Sequence, residues 1–166
     1  MKIKRAIRKD LDKIFYIIQS ANRKLLRNGK EHWKGFYTKE KISKIILMEK
    51  VFLVYENKKP IGTFTLSENE PELYKEKFVT FSRKSKQKTI YLSALAVLPI
   101  EQQKGYGKRI MNLIEIKSKR EKFSSIVFDV VSDYPELNKF YKKLNYKIIG
   151  KIKGKLREGN IYSKTL

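Results

Sequence analysis

YLSALAVLPIEQQKGYGKRIMN, residues 91–112, is the stretch that decides the fold of this chain. The first part of the stretch is nearly all apolar apart from Ser93, and it ends at Pro99. Such a run is typical of a strand that is covered on both faces. After the glycines, Ile110, Met111 and Ile114 recur on one helical face. The stretch therefore predicts a buried strand, a tight loop and a helix.

The loop between this strand and this helix has the features of an anion-binding loop. The N–H groups at a helix start are unpaired and the helix dipole adds partial positive charge there, while Gly105 and Gly107 allow phosphate oxygens to approach the backbone. Full positive charges are added by Lys104, Lys108 and Arg109. A strand-to-helix turn with glycines for steric reasons and lysines in water explains the same residues. The loop alone leaves both interpretations open.

A resemblance to a known family favours the first interpretation. Gln102-x-x-Gly105-x-Gly107 resembles the acyl-CoA pyrophosphate loop, Gln/Arg-x-x-Gly-x-Gly/Ala, of the GNAT-type N-acetyltransferase superfamily. About thirty residues later, LNKFYKKLNY at 137–146 resembles the second signature of that family, Leu/Phe-Tyr-x-x-x-Gly-Phe. Tyr134, Leu137 and Asn145 stand where the family commonly has Asn, Ala and Gly, and Asn is the next best residue after Gly for a left-handed helix cap.

The resemblance implies a binding site for acetyl-CoA. It implies that the buried strand before the loop and the strand at 125–131 splay apart. It also implies that the backbone of residues 95–97 meets the pantetheine and that the Val97 N–H points to the thioester carbonyl. The implied cofactor-binding residues are Leu95, Ala96, Val97, Gln102, Gln103, Lys104, Gly105, Tyr106, Gly107, Lys108, Arg109, Asn138 and Lys143.

Tyr141 matches the tyrosine general acid of the family, which would protonate the coenzyme A sulfur. Without the signature, a tyrosine on an amphipathic helix is more often a core residue. The general base is not determined by the sequence. The candidates are a water chain ending on Ser93 or backbone carbonyls, and the side chains of His32, Glu68, Glu70 and Glu72.

Residues 30–37, KEHWKGFY, contain the only His and the only Trp of the chain. An aromatic cluster of this kind is typical of core packing. The resemblance implies instead that the segment lines the acceptor site, so the expected acceptor contacts are Trp33, Tyr37 and Ser93.

Length and composition limit the class of protein. At 166 residues with 41% hydrophobic residues, the chain is expected to be a single N-acetyltransferase domain over residues 1–166. It has no cysteine, which excludes disulfides and a cysteine nucleophile, and with one histidine no metal site is expected. The sequence lacks a signal core and an apolar run long enough to span a membrane, so a soluble cytoplasmic protein is expected, as a monomer or homodimer.

The formal net charge of +22 is spread along the chain. A lysine-rich solvated surface explains it, and so does a basic surface that attracts an anionic partner; both interpretations stay open. In either case the field attracts a polyanion such as coenzyme A and repels a polycationic amine, unless an acidic pocket screens the charge. The one acid-rich part of the chain carries Glu68, Glu70, Glu72 and Glu76.

Hydrophobic periodicity predicts the remaining elements. Strands are expected at 2–6, 51–56, 61–66, 125–131, 146–152 and 159–165, with helices after Asp10, Thr38 and Tyr134. Residues 67–88 read as a long polar connection in which Pro71 opens a short helix presenting Tyr74, Phe78 and Phe81. The fold class is α+β with α/β mixing: the GNAT-type acyl-CoA acyltransferase fold, a central mixed, mostly antiparallel sheet of six to seven strands with a splayed parallel pair, flanked by about four helices.

Two functions follow from these observations. The first is an acetyl-CoA-dependent N-acetyltransferase that transfers an acetyl group to a primary amine of a small molecule, protein or peptide. The alternative is a basic protein of the same fold that associates with nucleic acid or ribonucleoprotein, either as a binder or by acetylating aminoacyl-tRNA or ribosomal protein amines. Evenly spread lysines without an aromatic stacking face are weak evidence for nucleic acid, so the first is favoured.

Overall fold

A computed structural model describes residues 1–82, 88–154 and 158–166. Within them lie eight strands and four α-helices, with single 3₁₀ turns at Arg8–Asp10, Glu72–Lys75 and Pro99–Glu101. The helices are α1 Leu11–Arg27, α2 Lys39–Met48, α3 Tyr106–Arg120 and α4 Pro135–Lys143. The strands are β1 Lys2–Arg5, β2 Lys50–Glu56, β3 Lys59–Ser67, β4 Val79–Phe81, β5 Thr89–Val97, β6 Ser125–Val131, β7 Lys147–Lys153 and β8 Glu158–Thr165.

The chain divides into two compact units, and β5 contributes to both. The first unit consists of Met1–Leu66 and Ser93–Met111. Its strands are hydrogen-bonded in the order β1-β2-β3-β5, with β1 and β2, and β2 and β3, antiparallel. The turn between β2 and β3 consists of Asn57 and Lys58, both with positive φ, which is the backbone geometry of a tight two-residue hairpin.

The core of the first unit lies where α1 and α2 pack on the sheet. Ile14, Ile17 and Ile18 of α1 and Ile42 of α2 are buried there with Leu53 of β2. The side chain of Thr38 accepts a hydrogen bond from the Lys41 N–H at 3.1 Å, so the expected N-cap of α2 is confirmed.

The second unit consists of Ser67–Leu92 and Asn112–Leu166. Its strands follow the order β5-β6-β8-β7-β4. The β5–β6 pair is parallel, and the other three pairs are antiparallel. The parallel register joins Thr89–Tyr91 to Ser125–Val127, although β5 continues to Val97 and β6 to Val131.

In the second unit, each face of the sheet carries its own aromatic or apolar cluster. Val127 packs with Tyr74, Ile152 and Ile161. Phe128 points to the opposite face, since side chains alternate along a strand, and there it meets the rings of Tyr141, Tyr146 and Tyr162.

The expected α+β class with a mixed sheet is confirmed, with one strand more than the six to seven expected. The additional strand is β4, which lies within the connection at 67–88 and pairs with β7. The helix expected after Pro71 is a single 3₁₀ turn, so it presents Tyr74 but neither Phe78 nor Phe81. Phe81 lies on β4 and its ring meets Tyr74 edge-on at 5.3 Å between centroids. Residues 83–87 of this connection lie outside the described residues.

In the part of the chain that the structure describes, no helix combines the length and the apolar character that a membrane crossing requires.

Candidate functional site

The end of β5 presents backbone groups in two directions. The Leu98 N–H donates to the Ile61 carbonyl of β3 at 2.9 Å. Because successive residues of a strand direct their N–H and C=O groups to opposite edges, the N–H of Val97 points to the edge away from β3. Its direction agrees with the role that the resemblance implies for Val97.

Ala94 interrupts the regular geometry of β5. It has a φ of 51°, a left-handed conformation that a residue with a Cβ seldom adopts. A residue in this conformation changes the local direction of a strand, as a β-bulge does. Ser93 beside it is exposed, whereas the Ala94 side chain is buried in the core of the first unit. Ala94 could not be identified from the sequence, because a left-handed residue inside an apolar run leaves no sign in composition or periodicity.

The strand β3 passes very close to β5 at Gly62. A Cβ built on Gly62 would lie 2.8 Å from the Ala96 carbonyl oxygen and 3.5 Å from the Ile110 side chain of α3. Since real Cβ atoms do not approach a carbonyl oxygen so closely, only glycine fits between these groups. Gly62 thereby determines how near β3 lies to the residues expected at the pantetheine.

The Gln102 side chain connects three parts of the first unit. Its Nε2 donates to the Val97 carbonyl at 2.9 Å, and its Oε1 accepts a hydrogen bond from Lys24 Nζ at 2.7 Å. The loop is thus held to the end of β5 and to α1. The Gln102 side chain thereby orients the loop, and its expected contact with the cofactor stays a prediction. Lys24 could not be predicted as a partner of Gln102, because it lies 78 positions away in the chain and carries no local signal.

Gly105 is the residue at which the loop becomes a helix. It has a φ of +78°, and a Cβ built on it would have no heavy atom within 4 Å. Its carbonyl accepts from the Arg109 N–H at 3.2 Å, so α3 begins directly after it. The N–H groups of Tyr106 and Gly107 belong to the first turn, whose amides have no intrahelical acceptor. Open space beside such amides fits a phosphate group.

The cations around this helix start differ in their partners. Lys104 pairs with Glu101 at 2.9 Å and Arg109 with Glu56 at 3.1 Å. The N-terminal ammonium bonds Glu56 at 2.8 Å, and together with Arg109 it holds the pKa of the Glu56 carboxyl below its usual range. The expected phosphate contact of Arg109 is thus opposed by an existing ion pair. Lys108 and Gln103 are exposed beside the loop, as expected for residues that meet a polyanion.

Tyr141 lies on α4 in the second unit and is buried, with 6% of its surface exposed. Its ring packs 4.5 Å from Phe128 between centroids, and the rings of Tyr146 and Tyr162 lie near 6 Å. Burial raises the pKa of the Tyr141 hydroxyl above that of a free tyrosine. It therefore carries its proton at neutral pH, as a general acid must at the start of its step.

Asn138 precedes Tyr141 by one turn of α4 and is fully engaged within the protein. Its Nδ2 donates to the carbonyls of Val131 and Tyr134, and its Oδ1 accepts from Asn160 Nδ2 and the Tyr162 hydroxyl, all at 2.8–2.9 Å. An amide side chain can form no more than these four bonds at once. The Asn138 side chain thus fixes α4 to β6 and β8, and its contact with the cofactor stays a prediction. Lys143, at the end of α4, is exposed.

The aromatic segment at 30–37 packs inward. Tyr37 is buried and Trp33 lies against the same core cluster of α1 and α2, with their rings edge-on at 5.1 Å. Gln19 Nε2 donates to the Tyr37 carbonyl at 2.8 Å, which ties the segment to α1. For Trp33 and Tyr37 the packing interpretation therefore has direct support. Ser93, the third expected acceptor contact, is exposed.

Among residues 1–82, 88–154 and 158–166, no three His, Asp or Glu side chains are grouped so that they could hold a metal ion.

Comparison with known proteins agrees with the fold and the motifs. The acetyltransferase (GNAT) family matches residues 8–146. A GNAT-family acetyltransferase from Listeria monocytogenes 4b F2365 is 18% identical, with a TM-score of 0.80 over 99% of this chain and 94% of that chain. A GNAT-family acetyltransferase from Streptococcus agalactiae 2603 is 15% identical, with a TM-score of 0.81 over 99% and 95%.

A third similar structure, with a lower TM-score, is the ribosomal-protein-S18-alanine N-acetyltransferase from Escherichia coli. It is 12% identical, with a TM-score of 0.71 over 99% of this chain and 92% of that chain. At these identities the likeness shows the fold alone. A search of curated proteins found no match. The family match over residues 8–146 shows that this chain belongs to the GNAT family and is an acetyltransferase.

Proposed function

We propose that the chain transfers an acetyl group from acetyl-CoA to a primary amine by direct attack on the thioester, with residues 1–166 acting as one domain. The observation that carries this proposal is the start of α3. Gly105, at a φ of +78° and with open space beside it, precedes helix amides that face outward among exposed basic residues. That arrangement suits a pyrophosphate better than a plain turn, which needs neither the open space nor the cations.

The side-chain contacts around the loop revise the expected binding set. Gln102 and Asn138 have their hydrogen bonds within the protein, and Arg109 is paired with Glu56. The backbone from Gly105 to Gly107 is therefore proposed as the main contact with the pyrophosphate. Supporting contacts are proposed from Gln103 and Lys108, whose side chains are exposed, whereas Lys104, like Arg109, is paired with a carboxylate. Leu95, Ala96 and Val97 would meet the pantetheine through their backbone.

The bound thioester supplies an activated acyl group. The chain has to stabilise the negative charge on its carbonyl oxygen and to protonate the sulfur that leaves. The N–H of Val97, directed away from β3, is proposed to stabilise the negative charge that develops on the carbonyl oxygen. As the new N–C bond forms and the C–S bond breaks, the proton on the Tyr141 hydroxyl is proposed to pass to the sulfur. The amine loses its own proton to a base.

Release of free thiol from acetyl-CoA in the presence of a panel of primary amines tests the proposal. We expect release above the amine-free rate with at least one small amine. Calorimetry with coenzyme A provides a separate measurement of the donor site. A folded protein that neither binds coenzyme A at high concentration nor releases thiol would contradict the proposal.

A further inference from the structure

The carboxylate of Glu56 is bonded to the first turn of α3, although Glu56 belongs to a distant part of the sequence. Glu56 ends β2, and the left-handed residues Asn57 and Lys58 turn the chain directly after it. Both Glu56 and Arg109 belong to the first unit. The Glu56 side chain is 17% exposed, and the two cations that lower its pKa keep it ionised in the neutral range. A fixed negative charge therefore lies close to the loop at which the proposed function needs positive charge.

The Arg109 guanidinium lies at the N-terminal end of α3. Side chains of an α-helix tilt toward its N-terminus and cover the preceding turn. Arg109 agrees with this rule, because its guanidinium carbon is 5.5 Å from the ring centroid of Tyr106, the first residue of α3. A guanidinium in this place is within side-chain reach of a phosphate at the amides of Tyr106 and Gly107.

The ion pair between Glu56 and Arg109 is of a kind that is readily exchanged. Arg109 Nη1 donates to Glu56 Oε1 at 3.1 Å, while Glu56 Oε2 is taken by the N-terminal ammonium at 2.8 Å. The Arg109 side chain is 52% exposed, and ion pairs in contact with water contribute little to stability. A phosphate can accept two charge-assisted hydrogen bonds from one guanidinium, which is the stronger contact.

We infer that Glu56 limits the affinity for coenzyme A, because its carboxylate competes with the pyrophosphate for the Arg109 guanidinium. Arg109 joins the phosphate contacts when it exchanges the carboxylate for a phosphate oxygen. Glu56 acts through Arg109 and is therefore a positioning residue. This inference rests on the proposed function, because it concerns the acetyl-CoA site. It also accounts for Arg109, which the sequence places among the cofactor contacts and which the structure shows in an ion pair.

Calorimetry with coenzyme A measures this competition without turnover. Glu56→Gln removes the charge and keeps the length of the side chain, and we expect it to lower the dissociation constant about threefold or more. The gain should shrink as salt rises, since the additional contact joins two charges. A dissociation constant equal to or higher than that of the parent would overturn the inference, because that result is expected of a residue that only supports the loop.

Glu40→Gln is the matched control for net charge. Glu40 pairs with Lys44 on α2 at 2.9 Å, and both side chains are exposed. Its replacement removes one negative charge and leaves the partner of Arg109 in place, so the dissociation constant should change by less than about 1.5-fold. If Glu40→Gln tightens binding as much as Glu56→Gln does, the effect is one of net charge and the inference is wrong.

A double-mutant cycle tests whether Glu56 acts through Arg109. Arg109→Gln alone should weaken binding, and Glu56→Gln added to it should change the dissociation constant no more than Glu40→Gln does. If Glu56→Gln produces its full gain in the Arg109→Gln protein, the carboxylate acts on the phosphate directly or through the N-terminal ammonium, which contradicts the inference. Melting curves establish that each variant is folded.

A measurement on the parent does not depend on the folding of Glu56→Gln. The Nε–H resonance of Arg109, identified by its loss in Arg109→Gln, should shift when coenzyme A is added, and an unshifted resonance at saturation would contradict the exchange. A parent that neither binds coenzyme A nor releases thiol would contradict the proposed function. A parent that does both, with a Glu56→Gln variant that binds no more tightly, would leave the proposed function in place and overturn this inference alone.

Discussion

Tyr141 combines two requirements in one side chain. Its ring fills part of the aromatic cluster around Phe128, while its hydroxyl is proposed to protonate the leaving sulfur. Burial raises its pKa, so the hydroxyl remains protonated through the neutral range. Phenylalanine at this position would keep the ring packing but could not transfer a proton. The two roles can therefore be tested separately at this residue.

Tyr141→Phe should therefore lower kcat by about 100-fold or more, in line with the usual contribution of a general acid. The coenzyme A dissociation constant should change by less than about threefold, since the ring is retained. Steady-state kinetics and calorimetry on the same preparation measure both quantities. A kcat within a factor of two of the parent would show that Tyr141 is a core residue only.

The buried tyrosines also predict a pH dependence of stability. Burial raises the pKa of Tyr141, and burial together with the nearby Glu115 carboxylate raises that of Tyr146. The folded state thus keeps protons that the unfolded chain loses above about pH 10. This contribution to stability is complete below that pH and is lost as pH rises toward the folded pKa.

Urea denaturation between pH 9 and 11 measures this effect. Tyr141→Phe should reduce the fall in unfolding free energy above pH 10 by up to about 1.4 kcal/mol per pH unit. Tyr16→Phe is the matched control, because Tyr16 is 60% exposed, and it should leave the pH profile as in the parent. Identical profiles for Tyr141→Phe and the parent would show that its hydroxyl is not shielded from solvent.

The elements around the proposed donor site are closely fitted to one another. β3 approaches β5 at Gly62, Ala94 has a left-handed conformation within β5, and the Gln102 side chain connects the loop to β5 and α1. The position of Val97 thus depends on contacts with two other elements. A change at any of them is expected to affect stability and coenzyme A binding together.

Gly62→Ala tests this fit. A methyl group 2.8 Å from the Ala96 carbonyl oxygen forces β3 and β5 apart, at a cost of about 1–3 kcal/mol in unfolding free energy. Coenzyme A binding should weaken as well, because the displaced residue is one of the expected pantetheine contacts. Thermal melting and calorimetry provide the two measurements, and parent-like values in both would contradict the account of this contact.

The elements with local signals were predictable from the sequence. The cap at Thr38, the left-handed Asn145 after α4 and the strand–loop–helix at 91–112 each depend on neighbouring residues, and each lies where it was expected. The left-handed Ala94, the strand β4 and the Lys24–Gln102 contact depend on packing between distant segments. Periodicity contains no information about such contacts. A cavity of about 660 Å³ in the second unit has the same origin, since its lining comes from six separate segments.

At the scale of the whole molecule, charge is the dominant property. Many lysines form ion pairs on the surface, such as Lys44 with Glu40 and Lys75 with Glu72. Exposed pairs of this kind contribute about 0–1 kcal/mol each, so they do not organise the fold. The net charge of +22 instead acts at long range on anions. Such attraction is screened by salt, whereas contacts between a phosphate and backbone amides inside a loop are screened much less.

The measurement that tests the central claim most directly compares acetyl-CoA binding by Gly105→Val and by Lys108→Ala at low and at high salt. Circular dichroism and melting curves first establish that both variants are folded. A side chain at Gly105 disfavours its φ of +78° and occupies the open space beside the helix start. We expect Gly105→Val to raise the dissociation constant at least tenfold, or about 1.4 kcal/mol, at both salt concentrations. Lys108→Ala should cost less, and its cost should shrink as salt rises. A folded Gly105→Val protein that binds acetyl-CoA as tightly as the parent would show that the loop is only a turn.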